Sequence, residues 1–340
     1  MNNEQYRQPI APIPEGVPRP LWSVMIPTYN CARYLRETLA SVLAQDPGSD
    51  VMQIEVVDDC STEDDPLKVV QELGGGRVGF YRQLENVGNR KNFQTCLERS
   101  RGKLIHLLHG DDCVRDGFYR KMQTALEENP EVGAAFCRCI NMDERGHWQN
   151  ISPLEQPESG ILSNWLERLV ENQRISTPSI VVRREIYEKL GAFDLRLPWT
   201  EDWEMWVRIA AHYPMWYEVE PLALYRTMRP GSLSESCGRN GKIYEDIRRA
   251  IDIFKSYLPE TIAEKLTSKS RESWALVALT NARGLVAMGD IPGAMIQMRE
   301  GIKCSQSFRV IKLAVSVLPR AGYRWILQKV SKGILLGLGR

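Results

Sequence analysis

Twice before residue 113 this chain drives a short apolar run straight into a pair of carboxylates. Gln53-Ile54-Glu55-Val56-Val57 stops at Asp58-Asp59, and Lys103-Leu104-Ile105-His106-Leu107-Leu108 stops at His109-Gly110-Asp111-Asp112. Runs of this length read as buried strands, and two adjacent acids cannot extend a strand into a core. They must emerge where the strand ends. In an open α/β sheet that carboxyl edge is where ligands bind. Carboxylate oxygens there suit a hard divalent cation such as Mg²⁺ or Mn²⁺, which in turn can hold a diphosphate. An Asp so placed also serves as a helix N-cap, and a helix is expected to start near Arg115.

The segments around these pairs alternate in type. Trp22-Ser23-Val24-Met25-Ile26 is strand-like and is expected to stop at Pro27, after which Ala32 to Gln45 sets Leu35, Leu39, Val42 and Leu43 on one helical face. A third strand is predicted over Gly79–Arg82, a helix over Asn92–Ser100 and another over Arg115–Asn129. Strand and helix in alternation imply an α/β fold with right-handed crossovers and a mainly parallel sheet flanked by helices. Val132–Cys139 reads as a further strand, followed by polar loops. Then come a helix over Ile161–Asn172, a strand over Ser179–Val182, helices over Arg183–Leu190 and Glu201–Ala211, and a last strand over Trp216–Leu224. Gly74-Gly75-Gly76 lacks the spacing of a phosphate loop and reads as a turn.

From Gly241 onward the pattern is helical, with Trp274 to Cys304 as a hairpin turning at Gly289-Asp290. The expected division is a flexible proline-rich arm over residues 1–20, an α/β domain over 21–238, and a helical region over 239–340. The α/β domain splits into a nucleotide half, about 21–140, and an acceptor half, about 141–238.

Charge narrows the function classes. There are 44 basic and 43 acidic residues, a net charge of +1, so nothing favours a nucleic-acid binder. The balance hides an asymmetry: after Glu300 there are eight basic residues and no acidic one. The segment Arg309–Arg340 mixes those cations with Leu, Ile, Val, Tyr323 and Trp325. Such a basic amphipathic tail either lies on anionic lipid as a peripheral contact or packs as a terminal helix. The eight cysteines form no pair of CxxC knuckles, which argues against structural zinc. With no signal peptide and no span of about eighteen apolar residues, the expected place is the cytoplasm, or the cytoplasmic face of a membrane.

Glu201-Asp202 adds a third acidic pair to the two at the strand ends. Each pair alone has a plain role as a cap, a turn former or first-turn helix acids. Three converging on one sheet edge would repel one another without a cation or positive ligand. Ser23-Val24-Met25-Ile26-Pro27-Thr28-Tyr29-Asn30, followed by Glu55-Val56-Val57-Asp58-Asp59-Cys60-Ser61-Thr62, resembles the opening of family 2 glycosyltransferases, which have a GT-A type fold. The likeness continues through Asn86-Val87-Gly88 with Asn92-Phe93, Gly102-Lys103, His109-Gly110-Asp111-Asp112 and Gly191-Ala192-Phe193-Asp194. It ends with Glu201-Asp202-Trp203-Glu204-Met205-Trp206, Arg208, Tyr225-Arg226 and Gly231-Ser232-Leu233-Ser234, so it runs in order from about residue 22 to 235.

The resemblance implies an enzyme that moves a sugar from a nucleotide-diphosphate sugar, with UDP the expected nucleotide, to a glycan or lipid-linked acceptor with inversion. It implies that Pro27, Tyr29, Asn30, Asp58, Asp59, Asn86, Gly88 and Asn92 form the donor nucleotide site. Tyr29 would pack on the base and Asp59 would bond the base or ribose, chemistry that an aromatic face and a carboxylate both suit. Asp111 takes the position that contacts a Mn²⁺ or Mg²⁺ cofactor. His109 stands where the family usually has an acid; a neutral imidazole ligates Mn²⁺ but is a poor Mg²⁺ ligand, or it faces the ribose instead. Asp112 would bind the donor sugar or support the loop, and Asp202 is matched to the catalytic base; the His that often follows the Tyr-Arg pair is missing, and Arg226 or Arg229 would meet the diphosphate charge in its place. Glu201, beside Asp202 at the helix start, is placed with the acceptor, and Trp199, in the Leu197-Pro198-Trp199 loop, is an acceptor candidate because sugars stack on aromatic faces. Trp203, Trp206, His106 and His212 are expected to be packing residues.

A non-catalytic nucleotide-sugar or glycan-binding protein on the same fold is the alternative, motivated by His109 and the missing His. A dinucleotide-dependent oxidoreductase is disfavoured because no GxGxxG follows the first strand.

Overall fold

The computed structural model describes residues 3–227 and 241–317. β1 (Trp22–Thr28), β2 (Met52–Asp58) and β4 (Leu104–Leu107) are buried along their whole length. Such continuous burial is what a parallel strand covered on both faces requires, and their near-unbroken apolar sequences supply it. β3 (Gly79–Arg82), β2, β1 and β4 pair in parallel in that order. The sheet then turns mixed: β9 (Ile180–Arg183) runs antiparallel to both β4 and β6 (Ala134–Met142), and β10 (Met215–Arg226) is parallel to β6. The result is a ten-stranded mixed α/β sheet.

The helices that flank the sheet follow the apolar spacing. α1 (Ala32–Leu43) buries Leu35, Leu39 and Val42 against it. α3 (Asn89–Arg99), α4 (Phe118–Glu128), α5 (Trp165–Glu171), α6 (Arg184–Leu190) and α7 (Glu201–His212) all lie within a few residues of the predicted spans. The turn at Gly74-Gly75-Gly76 has Gly75 and Gly76 at φ +50 and +82, where only glycine sits without strain. Between β1 and β4, Gly102 passes so close that a Cβ would meet Ser23 N at 2.4 Å.

Several elements depart from the sequence reading. β1 does not stop at Pro27 but runs to Thr28, with Pro27 paired to Val57 and its carbonyl accepting from Gly110 N at 3.0 Å. α2 (Pro66–Gly74) was not expected; Asp65 caps it by accepting from Lys68 N at 3.2 Å, and Pro66 opens it. The polar stretch after β6 holds two short strands, β7 (Trp148–Ile151) and β8 (Gly160–Ile161), while β5 (Cys113–Val114) pairs with β10.

The arm over residues 1–20 is also corrected. Ala192 N and Leu195 N donate to the carbonyls of Gln8 and Tyr6, and Ile10 is buried. Arg7 lies 3.4 Å from both Asp194 and Glu204, and Arg184 reaches Ala11 O at 2.9 Å. Those buried carboxylates need cations, and Arg7, at the bend after the 3-10 turn Asn3–Tyr6, is one of them. The stretch is a bound strap.

The chain divides into two compact units, one of residues 1–169 and 173–230, the other of 170–172 and 231–340. In the second, α8 (Lys242–Phe254), α9 (Glu260–Met288) and α10 (Ile291–Cys304) follow one another. α9 and α10 make the expected hairpin: Gly289 takes φ +85 and Asp290 caps α10 by accepting from Gly293 N at 3.1 Å. Ser270 donates to Val170 O at 2.7 Å and Ser273 to Asn172 Oδ1 at 2.9 Å, tying 170–172 to α9. Residues 308–317 are helical, with Val310, Ala314 and Val317 buried and Phe308, Ile311 and Val315 exposed. Among the described residues no helix is long and apolar enough to cross a membrane. The rest of the basic tail lies outside them.

Candidate active site

The carboxyl ends of β1, β2 and β4 gather the first two acid pairs. Asp58 and Asp59 do different things there. Asp58 is fully buried, and its carboxylate accepts from Ser61 N and from Ser61 Oγ at 2.5 Å. It shapes the turn after β2, at the edge where the nucleotide site is expected. Asp59 reaches across instead: its two oxygens accept from Val87 N at 2.8 Å and Gly88 N at 2.9 Å. Burial pushes its carboxyl up, and those two amides pull it back.

The other expected nucleotide residues knit this edge together. Asn30, in the left-handed region at φ +46, accepts from Thr62 N and Glu63 N. Asn86 donates to Asp59 O, and buried Asn92 donates to Val57 O at 2.9 Å. Gly88, at φ +83, opens α3. Tyr29 differs from these. It is 43% exposed at the end of β1, a ring face open to a planar base.

At the end of β4, Gly110 sits where a Cβ would lie 2.7 Å from Thr28 Oγ1, so the residue between His109 and Asp111 must lack one. His109, Asp111 and Asp112 each offer one ligand atom, all within 4.8 Å of one another. The His109 ring stacks on Phe93 at 5.1 Å, which fixes its plane. Asp112 is fully buried and accepts from Arg226 N at 2.8 Å. One imidazole nitrogen and two carboxylates on neighbouring residues make a donor set that fits Mn²⁺, an ion tolerant of mixed N and O ligands.

Arg226 arrives at the same loop with other partners. Its guanidinium donates to Asp111 O, Asp143 O, Glu144 O and Glu37 Oε2, and lies over the Tyr34 ring. Those bonds fix the acidic loop at which Arg226 is expected to meet the diphosphate. Arg229 and the Gly231–Ser234 stretch lie outside the described residues.

The third pair opens α7. Glu201 is buried and accepts from Asn89 Nδ2 at 2.8 Å. Asn89 follows Gly88, whose amide holds Asp59, so one chain of bonds runs from the first acid pair to the third. Asp202 accepts from Trp203 N at 2.6 Å on Oδ1, and from Gln173 Nε2 at 2.7 Å and Thr177 Oγ1 at 3.2 Å on Oδ2. Burial pushes its carboxyl up to about 6, and these donors hold it back from going higher. Trp199 is half-buried in the loop ahead of the helix, whereas Trp203 and Trp206 are fully buried, as their helical spacing implies. His106 is buried between Tyr119 OH and Pro178 O, with its pKa lowered to about 4 by burial, and His212 bonds Arg208 O.

Sequence reasoning missed Gln173, Thr177 and Asn89, and gave Phe93 only as part of the Asn92-Phe93 motif. The first two stand in irregular chain with no periodicity, and only the folded contact reveals them.

A model of glycosyl transferase family 2 matches residues 23–191. The chain belongs to that family. An uncharacterized glycosyltransferase of Methanocaldococcus jannaschii is 26% identical over 197 residues, covering 57% of this chain and 66% of that one. Against the first curated relatives the matched region spans 62% and 66% of their length, under two thirds. Among solved structures, Staphylococcus aureus TarS 1-349 in complex with UDP-GlcNAc superposes with a TM-score of 0.64 at 18% identity, covering 92% of both chains. The mannosyltransferase PcManGT from Pyrobaculum calidifontis, in complex with GDP-Man and Mn²⁺, gives a TM-score of 0.56 at 16% identity, covering 99% of this chain and 92% of that one. Both share the fold of this family 2 chain.

Proposed function

We propose that this family 2 protein is a metal-dependent inverting glycosyltransferase, moving a sugar from a UDP-sugar or related donor to a hydroxyl of a glycan or lipid-linked acceptor. The observation that carries the reading is Asp202: a half-buried carboxyl, raised to about 6, at the start of α7 and linked through Glu201 and Asn89 to the Asp59 loop. A carboxyl so raised is matched to proton transfer near neutral pH, which a passive binding protein has no use for. The structural neighbours, one with UDP-GlcNAc and one with GDP-Man and Mn²⁺, support the donor class.

In this reading Tyr29 stacks on the base and Asp59 meets the nucleoside. Asp202 takes the proton of the acceptor hydroxyl as that oxygen attacks the anomeric carbon from the face opposite the diphosphate. Trp199 and Glu201 border the acceptor. His109, Asp111 and Asp112 would hold a divalent cation, which when bound offsets the charge developing on the diphosphate. The basic C-terminal tail supplies a peripheral contact with anionic lipid, where a lipid-linked acceptor resides.

Two variants separate the roles. With UDP-GlcNAc as the probe donor, Asp202→Asn is expected to keep nucleotide affinity by calorimetry while turnover falls on the order of 10²–10⁴-fold. Asp111→Ala is expected to abolish the Mn²⁺-dependent part of UDP binding. Near wild-type turnover in Asp202→Asn overturns the base. UDP affinity indifferent to Mn²⁺ in both wild type and Asp111→Ala overturns the metal site.

A further inference from the structure

We infer that Gln173 and Thr177 are positioning residues for Asp202, holding one oxygen of its carboxylate so that the group stays ionised and correctly turned toward the acceptor. The inference rests on the reading of Asp202 as the base. It comes from a convergence: an amide and a hydroxyl, from two points of one loop, both donate to Oδ2, at 2.7 and 3.2 Å. Trp203 N holds Oδ1, but that bond comes from the helix bearing Asp202 itself. It cannot fix the helix against the sheet, whereas the two loop donors do.

The loop is well anchored for that work. Thr177 is buried in the short 3-10 turn Thr177–Ser179 that leads into β9, and Pro178 O of the same turn bonds His106 Nε2 on β4. Arg174, next to Gln173, pairs with Glu155 at 3.3 Å. Ser179 Oγ and Ser179 N both bond Ser176 O, closing the turn from within. The Oδ2 position is therefore set from the sheet side, not by α7.

The ionisable groups on the elements beside Asp202 have partners of their own. On α7 there is Glu201, tied to Asn89; on the loop there is Arg174, turned to Glu155; behind the turn lies His106, held neutral by burial. None of these donates to Asp202. The donors that favour its charged form from outside its own helix are Gln173 and Thr177. Removing one raises the pH at which the carboxyl ionises, because a hydrogen bond to the charged form is lost.

Gln173→Ala and Thr177→Val test the assignment, the second nearly isosteric and so safe for the fold. Carboxyl ¹³C NMR titration follows Asp202, with Asp202→Asn identifying its resonance. Each variant is expected to move the titration midpoint up by about one pH unit. With UDP-GlcNAc as donor, the acid side of the pH–rate profile should move by the same amount, kcat should fall about fivefold at pH 6, and UDP affinity should hold. A midpoint that stays in place in both folded variants overturns the positioning role, whatever the turnover does. Wild-type turnover in Asp202→Asn would instead overturn the base reading, with the titration result untouched.

Discussion

Asp59 is bound into the fold by both of its oxygens, so it has a structural role besides the nucleoside contact proposed for it. Its carboxylate is nearly inaccessible and collects two backbone amides from the turn 86–88. Carboxylates have about four lone-pair sites, so two remain for a ribose or base. Asp59→Ala would leave Val87 N and Gly88 N without their acceptor, at a cost of about 1–3 kcal/mol. The expected outcome is a lower melting temperature together with weaker UDP binding. Loss of binding with an unchanged melting temperature would show that the turn does not depend on Asp59. The neighbouring Asp58, though adjacent in sequence, faces inward to Ser61. Nothing in the letters Asp58-Asp59 distinguishes the two; Asp58 is the last residue of β2 and Asp59 the first beyond it, and only the folded contacts separate them.

Among the elements, the strands that build the site were legible because burial on both faces leaves long apolar runs. β1, β2 and β4 are of this kind. α2 is nine residues long, and of its large apolar side chains only Val69 and Val70 are buried while Leu67 and Leu73 are exposed, so the run is too short and mixed to be read as a helix. β5 and β8 are two residues each, and the four residues of β7 are all exposed, so they carry no hydrophobic signal. The helix over 308–317 is a different case. Its inner face, Val310, Ala314 and Val317, is buried, while Phe308, Ile311 and Val315 line the outside beside exposed Arg309 and Lys312. An outward apolar stripe edged by cations suits the interface of an anionic bilayer. Phe308→Asp is expected to weaken co-sedimentation with phosphatidylserine vesicles and leave melting unchanged. Equal sedimentation of the two proteins would remove the lipid contact from the proposal.

For the molecule as a whole, the strap over residues 6–11 shows why the first twenty residues could not be read locally. Arg7 meets Asp194 and Glu204, nearly two hundred positions away, and Gly191 takes φ +76 with its Cα side against Arg7, where a Cβ would sit 3.0 Å off. Asp194 keeps Arg196 and Glu204 keeps Arg208 when Arg7 is gone, so each carboxylate retains one cation. Arg7→Ala should therefore cost about 1–3 kcal/mol, read by urea unfolding, rather than collapse the fold. An unchanged midpoint would mean that the strap is not held by its charge. The segment 170–172 carries a consequence of another sort. Three residues from the middle of the α/β sequence are held by Ser270 and Ser273. A gene cut at the end of the α/β region therefore does not release a whole module: it deletes the partners of an internal stretch while keeping the stretch itself. An excised catalytic half made for crystallisation would need Val170–Asn172 redesigned, and a swap of helical regions between relatives would have to exchange that internal triplet along with the C-terminal piece.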